Sequence, residues 1–354
     1  MATNRIQITQ RQDVSTILGS DLPWNKLDGC RVVVTGAAGF LGGYLVRTLL
    51  ALYPSGKVDR PLNVIAVVRD VPQARARLGD VTDDPNLAFQ TSDLNAIARL
   101  EVADCNYVLH AASQASPRFY SVDPVGTLLP NALGTAALLA CLRSSADPRG
   151  MLFVSSSEVY GDVPSSRSLH EEAYGVLNPT SIRACYAEGK RFGEALCAAW
   201  YHQYQLPTYI VRPFHTYGPG LQENDGRVFA DFAFNVVRGE NIVMNSDGAA
   251  RRAFCYVSDA IAGFFTVLLT GEPAVPYNVA NPAGELSVYE LAQLLVNLYP
   301  QKMLSVVRRA PSQSGARSHG ISTELLPDTS RLTALGWRAK IDPEQGFRRM
   351  IDAY

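Results

Sequence analysis

Tyr186 and Lys190 stand four residues apart in Tyr186-Ala-Glu-Gly-Lys190, a spacing that puts both side chains on one face of a helix. An ammonium beside a phenol favours the phenolate and lowers the tyrosine pKa. Such a pair can exchange a proton with a substrate hydroxyl while hydride passes to or from a nicotinamide. A second reactive group lies in Ser155-Ser-Ser-Glu-Val-Tyr-Gly161. A hydroxyl there, assigned to Ser156, can bond the same substrate hydroxyl and relay its proton. Glu158 can act as a base or orient a substrate group; a solvated loop carboxylate is the plainer alternative. Arg251 and Arg252 precede Ala253-Phe-Cys-Tyr-Val-Ser-Asp259. A guanidinium grips phosphate or carboxylate through paired hydrogen bonds, and Arg252 is assigned that role. A surface salt bridge is the alternative for both arginines, more so for Arg251. Arg227, in Asn224-Asp-Gly-Arg227, is a similar candidate.

These groups need a cofactor, and the start of the chain offers a place for one. The β-branched run Arg31-Val-Val-Val-Thr35 leads into Thr35-Gly-Ala-Ala-Gly-Phe-Leu-Gly42. Gly36 permits a tight turn, Gly39 lets the backbone approach a pyrophosphate, and Gly42 lets helix and strand pack closely. Phe40 and Leu41 then open a helix whose N-terminus faces the anion. The second strand ends Val68-Arg69-Asp70. An acidic residue there suits the ribose of NAD, and an arginine suits the extra phosphate of NADP, so the cofactor reads as NAD with NADP admitted by Arg69. Asp93, followed by Leu94, is placed to meet the adenine amino group, with a helix N-cap as its alternative. Ala111 and Ser113, small residues after a strand, would lie under the cofactor.

The elements that must position these residues alternate. Asn63–Val68, Tyr107–His110, Met151–Val154 and Pro207–Val211 read as further buried strands. Phe40 to Leu52, Leu128 to Leu142 and Cys185 to Gln203 read as helices between them. Strand–helix alternation implies an α/β fold with a Rossmann-type doubly wound parallel sheet. Helices are expected over Gly226 to Arg238, Val288 to Leu298 and Pro343 to Ile351, with a loop over Ala316 to Leu326. The expected organisation is a polar, aperiodic extension over residues 1–28 and a dinucleotide-binding unit over 29–215. A smaller C-terminal mixed α/β substrate unit, partly interleaved with the first, covers 216–354.

Of the 354 residues, 47% are apolar and 18% charged, an ordinary globular balance, and the net charge of −1 gives no reason to expect nucleic acid or an anionic membrane as partner. The six cysteines form no CxxC pair and no zinc-spaced Cys/His cluster, so no metal is expected and the thiols read as reduced. No stretch reads as approaching the apolar length of a membrane span, and residues 1–29 lack a signal-type apolar core. Cytoplasmic residence is the expectation.

With these motifs in hand, the chain resembles the extended short-chain dehydrogenase/reductases, and within them looks most like the UDP-glucuronate decarboxylases. The resemblance runs from about Arg31 to Ile351. Besides the glycine loop it rests on Ala115-Ser-Pro-Arg-Phe-Tyr120, Ser156-Ser-Glu-Val-Tyr-Gly-Asp162 and Arg183-Ala-Cys-Tyr-Ala-Glu-Gly-Lys-Arg191. Asn224–Val228, Arg252–Asp259 and Leu335-Gly-Trp337 complete it. It implies that Ser156, Glu158, Tyr186 and Lys190 are the catalytic set and that Arg252 grips the substrate. Ser157 stands where related sugar 4,6-dehydratases carry an aspartate, which disfavours dehydration. Arg69 departs from the usual acidic residue. His215 replaces an asparagine that faces the substrate diphosphate. The resemblance also implies a homodimer paired through the helices around Leu128–Leu142 and Tyr186–Gln203.

The expected reaction is transient oxidation of a nucleotide sugar at C4, with UDP-glucuronate decarboxylation as its best-matching form. A C4 epimerase or an NADP-dependent reductase would use the same Tyr-Lys pair. A binding protein that senses NAD(P) without turnover is the alternative from another class.

Overall fold

The computed structural model describes residues 2–95, 104–163, 168–309 and 326–354. Seven strands form one parallel sheet: β1 (Arg31–Thr35), β2 (Asn63–Val68), β3 (Leu87–Thr91), β4 (Tyr107–His110), β5 (Gly150–Val154), β7 (Thr208–Pro213) and β11 (Pro276–Val279). Their order is β11-β7-β5-β4-β1-β2-β3. The chain winds outward from β1 to β3, then returns to the other side of β1 at β4. The register there pairs Thr35 with His110. This is the topological switch point, where a parallel sheet opens a crevice beyond the carboxyl ends of its strands.

The strands read as continuous apolar runs because both faces are covered. Val32, Val34, Leu109 and Leu152 join one buried cluster. The alternate residues Val33, Val108, Met151 and Phe153 join another. Helices cover the faces: α2 (Phe40–Ala51), α3 (Val71–Leu78), α6 (Thr135–Arg143), α7 (Cys185–Tyr204) and α9 (Val257–Thr270). Every residue of α9 from Val257 to Leu269 is buried. Because β11 lies in the large sheet, the region after residue 216 interleaves with the region before it.

That later region adds β10 (Arg251–Tyr256), flanked by β8 (His215–Tyr217) and β12 (Glu285–Ser287). Two small pairs join β9 (Ile242–Met244) to β13 (Val306–Arg308), and β6 (Ser168–Leu169) to β14 (Leu326–Pro327). Helices α8 (Val228–Arg238), α10 (Val288–Asn297), α11 (Ser330–Ala334) and α12 (Pro343–Asp352) complete it. The loop expected over Ala316 to Leu326 lies, except for Leu326, outside the described residues.

Two expectations are corrected. Residues 1–28 are not simply an aperiodic extension, because α1 (Ala2–Leu18) is a helix packed on α2 and α9. Its buried face runs through Gln10, Asp13, Val14, Ile17 and Leu18. That is helical spacing, hidden in the sequence because two of the inward positions are polar. Asp13 accepts hydrogen bonds from Tyr44 (2.8 Å) and Tyr256 (3.0 Å), and Arg349 stands 3.6 Å away. Burial pushes the Asp13 carboxyl up to about 6.

The second correction concerns apolar length. Helices α4 (Arg118–Val122) and α5 (Pro124–Leu129) lead through a π-helical turn, Pro130–Gly134, into α6. The continuous stretch Pro124–Arg143 is 20 residues long and, by length and composition, apolar enough to cross a membrane. Half of its most apolar window is buried inside the fold. There Thr127, Asn131 and Thr135 are fully buried, and their side chains each bond a carbonyl one turn back.

Candidate active site

A cleft of about 1190 Å³ opens at the switch point. Its first half is built from backbone. Gly36 has φ +65° and lies so near Ala111 that a Cβ would fall 2.8 Å from that backbone. A Cβ on Gly42 would lie 2.1 Å from the Gly36 carbonyl oxygen. Only glycine permits this approach of helix to turn. Gly39, the N-cap of α2, donates its N–H to the Gly36 carbonyl at 2.8 Å. The first turn of α2 carries no acidic side chain, so its positive end is left for an anion. Gly39, Phe40, Leu41 and Gly42 line the cleft; Gly36 lies behind, shaping the turn. This cradle fits the pyrophosphate of a dinucleotide.

Ala111, Ser113 and Arg69 also lie on the wall. Asp93 and Leu94 do not. Asp93 is exposed and accepts the Asn95 N–H at 3.0 Å in a local turn, and Leu94 is buried against Gly134. Asp70 spends its carboxylate as the N-cap of α3, accepting from Gln73 N at 2.8 Å.

The second half of the cleft is built from buried side chains. Helix α7 presents Tyr186 and Lys190 on one face, both buried. Lys190 Nζ donates to the Val154 carbonyl at the end of β5, at 2.6 Å. It stands 5.7 Å from the centre of the Tyr186 ring. Burial pushes the lysine down to about 7, against the pull of Glu194 one turn along α7. Tyr186 is shifted upward by burial and by the Glu158 charge, while a hydrogen bond with Ser156 opposes them. The expected lowering by Lys190 is therefore reversed: the ammonium is engaged with a carbonyl, and loss of water dominates.

Ser156 ends the crossing from β5, and its hydroxyl accepts the Glu158 N–H at 3.1 Å. Glu158 is not a solvated loop carboxylate. It faces the cleft, and burial drives it toward its protonated form, opposed by Arg183 and a hydrogen bond from Tyr120. Tyr120 stacks on Tyr186 with ring centres 5.2 Å apart and 13° between planes. Its hydroxyl lies 3.3 Å from Glu158 Oε1 and 3.2 Å from the Ala115 carbonyl.

Behind this cluster Glu194 accepts from Ser155 Oγ at 2.5 Å and takes the Arg212 guanidinium on both oxygens, at 2.9 and 2.6 Å. Tyr120, Glu194 and Arg212 were not picked out as site residues from the sequence. Tyr120 is marked there only by its place in a matching segment. Glu194 continues the Tyr186–Lys190 spacing by four more residues, a signal that was available.

The arginine candidates separate. Arg252 lies on the wall, donates to the Arg251 carbonyl at 2.6 Å and has no ion pair among the described residues; burial lowers its pKa. Arg251 pairs with Glu285 and Glu290, the salt bridge anticipated as its alternative. Arg227 lines the cleft too, but Asp225 holds it at 2.5 and 2.9 Å. His215, between these two charges, is pushed down to about 3 by burial first and then by Arg252 and Arg227. It is neutral at pH 7, and its buried Nδ1 has no hydrogen-bond partner among the described residues.

The six cysteines are free thiols. Burial raises Cys185, beside Tyr186, away from reactive thiolate character.

Comparison with known proteins agrees with this geometry. The model of the NAD dependent epimerase/dehydratase family matches residues 32–280. UDP-glucuronic acid decarboxylase 6 of Arabidopsis thaliana is 33% identical over 92% of this chain and 88% of its own length. UDP-glucuronic acid decarboxylase 1 of Xenopus tropicalis is 32% identical over 92% of this chain and 72% of its own. Among solved structures, a dTDP-glucose 4,6-dehydratase from Streptomyces venezuelae with NAD bound superposes with a TM-score of 0.76 at 26% identity, covering 92% of this chain and 96% of that one. A UDP-N-acetylglucosamine 4-epimerase from Methanobrevibacter ruminantium, at 23% identity and TM-score 0.76, shares the fold over 92% of this chain and 98% of that one. A glycine cradle at the switch point, a buried Tyr-Lys pair and a match across most of its length place this chain in the NAD dependent epimerase/dehydratase family.

Proposed function

We propose that this enzyme decarboxylates UDP-glucuronate to a UDP-pentose. The observation that carries the reading is the cleft-lining cluster of buried Ser156, Tyr186 and Lys190 with half-buried Glu158, sharing the cleft with the dinucleotide cradle and with Arg252, which has no ion pair among the described residues. A bound NAD would supply the hydride acceptor for the sugar and the donor that restores it. The residues do the rest. Tyr186 accepts the C4 hydroxyl proton, relayed through Ser156, as C4 becomes a ketone. Ser156 favours the phenolate through its hydrogen bond, and protonation of Glu158 removes the charge that opposes it. Lys190, fixed by the Val154 carbonyl, is placed for the nicotinamide ribose. The C4 ketone makes the C6 carboxylate a β-keto acid, whose C5–C6 bond breaks to release carbon dioxide. C5 takes a proton, and reduction of the ketone completes a redox-neutral cycle. Arg252 and the neutral His215 hold the diphosphate or carboxylate. Ser157, lining the cleft where a dehydratase would use an aspartate, supports carbon loss over dehydration.

A homodimer belongs to the same reading. Val125 on α5, Leu133 in the π-turn and Phe192 on α7 are exposed large apolar side chains on neighbouring helices. Partner helices would cover them.

Incubation of the purified protein with UDP-glucuronate, without added cofactor, tests the reading. Mass spectrometry should show loss of carbon dioxide and a UDP-pentose. Unchanged substrate, with and without added NAD, would refute it. One observation favours a reductase as the second reading: Arg69 on the cleft wall suits NADP, which a net reductase would consume.

A further inference from the structure

Arg69, just past β2, and Arg77, on α3, share the cleft wall beside Gly39 and Phe40. Other arginines of this region are neutralised: Arg11 and Arg47 share Asp80, and Arg75 reaches Asp83. Arg69 and Arg77 have no ion pair among the described residues. Arg77 donates to the Ala38 carbonyl, at 3.3 Å. Asp123 feels the Arg69 charge, but its oxygens are taken by Gly126 N and Gln114 Nε2, at 3.0 and 2.9 Å. Burial and the charge on Arg69 both push the Arg77 guanidinium down. Two like charges thus share one wall, and among the described residues no carboxylate is ion-paired with either.

The acidic residue that could serve ribose hydroxyls is turned away. Asp70 caps α3 and is not on the wall, whereas Gln73, a neutral donor, is. The end of the second strand is where a dinucleotide's adenosine ribose is met. A guanidinium pair there matches a phosphate dianion in charge and in hydrogen-bond geometry.

We infer that Arg69 and Arg77 form a phosphate site at the adenosine ribose, so that this cleft takes a dinucleotide carrying a 2′-phosphate at least as tightly as NAD. The inference rests on the dinucleotide reading of the cleft and extends it to the cofactor's phosphorylation state.

Isothermal titration calorimetry on the full chain, freed of co-purified nucleotide, tests it with NAD⁺, NADP⁺, 5′-AMP and adenosine 2′,5′-bisphosphate. The bisphosphate should bind roughly tenfold tighter than 5′-AMP, the gain expected from one charge-assisted contact. NADP⁺ should equal or exceed NAD⁺ in affinity. Arg69→Ala and Arg77→Ala should each weaken NADP⁺ by roughly tenfold while changing NAD⁺ by less than about twofold. Arg69→Asp should go further and leave NAD⁺ the preferred ligand. NAD⁺ binding about tenfold tighter than NADP⁺ to the unmodified protein would overturn the inference and leave the proposed function standing. Variants that weaken both dinucleotides equally would overturn it too, by showing a structural role. Binding of neither dinucleotide would sink both readings.

Discussion

In the dinucleotide half of the cleft the wall is mostly backbone: a turn at Gly36, a carbonyl against Gly42, the first N–H groups of α2. In the sugar half it is side chains: Tyr120 on Tyr186, Glu158 beneath them, Lys190 against a carbonyl, a neutral His215. The first half holds its shape through conformations that only glycine allows. The second holds its chemistry through burial, which moves Tyr186, Lys190, Glu158 and His215 away from their ordinary ranges. A backbone site tolerates change in nearby side chains and fails at one added methyl. A burial-tuned site tolerates shape-conserving swaps and fails when one polar atom goes.

The sharpest way to break this comparison is Tyr186→Phe. The ring, and so its stack on Tyr120, is kept while the hydroxyl is lost. Turnover should fall by roughly 10³-fold or more, within the range for a positioned acid–base group. Dinucleotide affinity should be unchanged, because the cradle is untouched. Wild-type kcat in this variant would remove Tyr186 from the chemistry.

Glu194→Gln ranks next. It removes the carboxylate charge from a largely buried pair with Arg212 and leaves one amide oxygen to accept from Arg212 and Ser155, where two oxygens serve now. Stability in urea should drop by about 3 kcal/mol, since a partner is removed from a buried charge. A loss below about 0.5 kcal/mol would show that the sugar half does not depend on this support.

Gly42→Ala probes the other half. Its Cβ would lie 2.1 Å from the Gly36 carbonyl oxygen, so helix or turn must move. Overpacking of this kind costs about 1–3 kcal/mol, and dinucleotide affinity measured by calorimetry should fall by roughly tenfold to a hundredfold. Unchanged affinity would mean that the cradle is not built on close approach.

A pH dependence tests a site away from both halves. Asp13 titrates near 6 in the fold against 3.8 for the free side chain. The folded state therefore holds its proton more tightly, and the stability Asp13 contributes is fully present below about pH 4 and lost as pH rises through 6. Compared with Asp13→Asn, the wild type should lose about 2–3 kcal/mol between pH 4 and 6.5. A flat difference across that window would show that the carboxyl is solvated.

What the sequence revealed follows the same division. Strands β1, β2 and β4 lie where apolar runs end in glycine or a polar turn, because strands buried on both faces leave that signature. Edge strands β3 and β11 do not read this way. Leu87-Ala-Phe-Gln-Thr91 is only half buried, and Pro276 opens a four-residue strand. Tyr186 and Lys190 are legible by spacing, but the direction of the Tyr186 shift is not, because it depends on burial in the finished fold and then on Glu158 from another part of the chain. Tyr120's stack and the Arg212 pair join residues 66 and 18 positions apart, beyond any local pattern. Asp13 is the extreme case, with partners at 44, 256 and 349.

That last set of partners has a consequence for biosynthesis. Helix α1 is made well before its partners: its buried carboxylate bonds Tyr256 and faces Arg349, more than 240 residues later. With synthesis at roughly 5–20 residues per second, the helix waits on the order of tens of seconds for the groups that seat it. Throughout that interval Val14, Ile17 and Leu18 have no finished surface to cover. Until those partners are made, the nascent chain therefore leaves the apolar stripe of α1 uncovered. Truncation before residue 256 would leave the Asp13 carboxyl without two of its three partners.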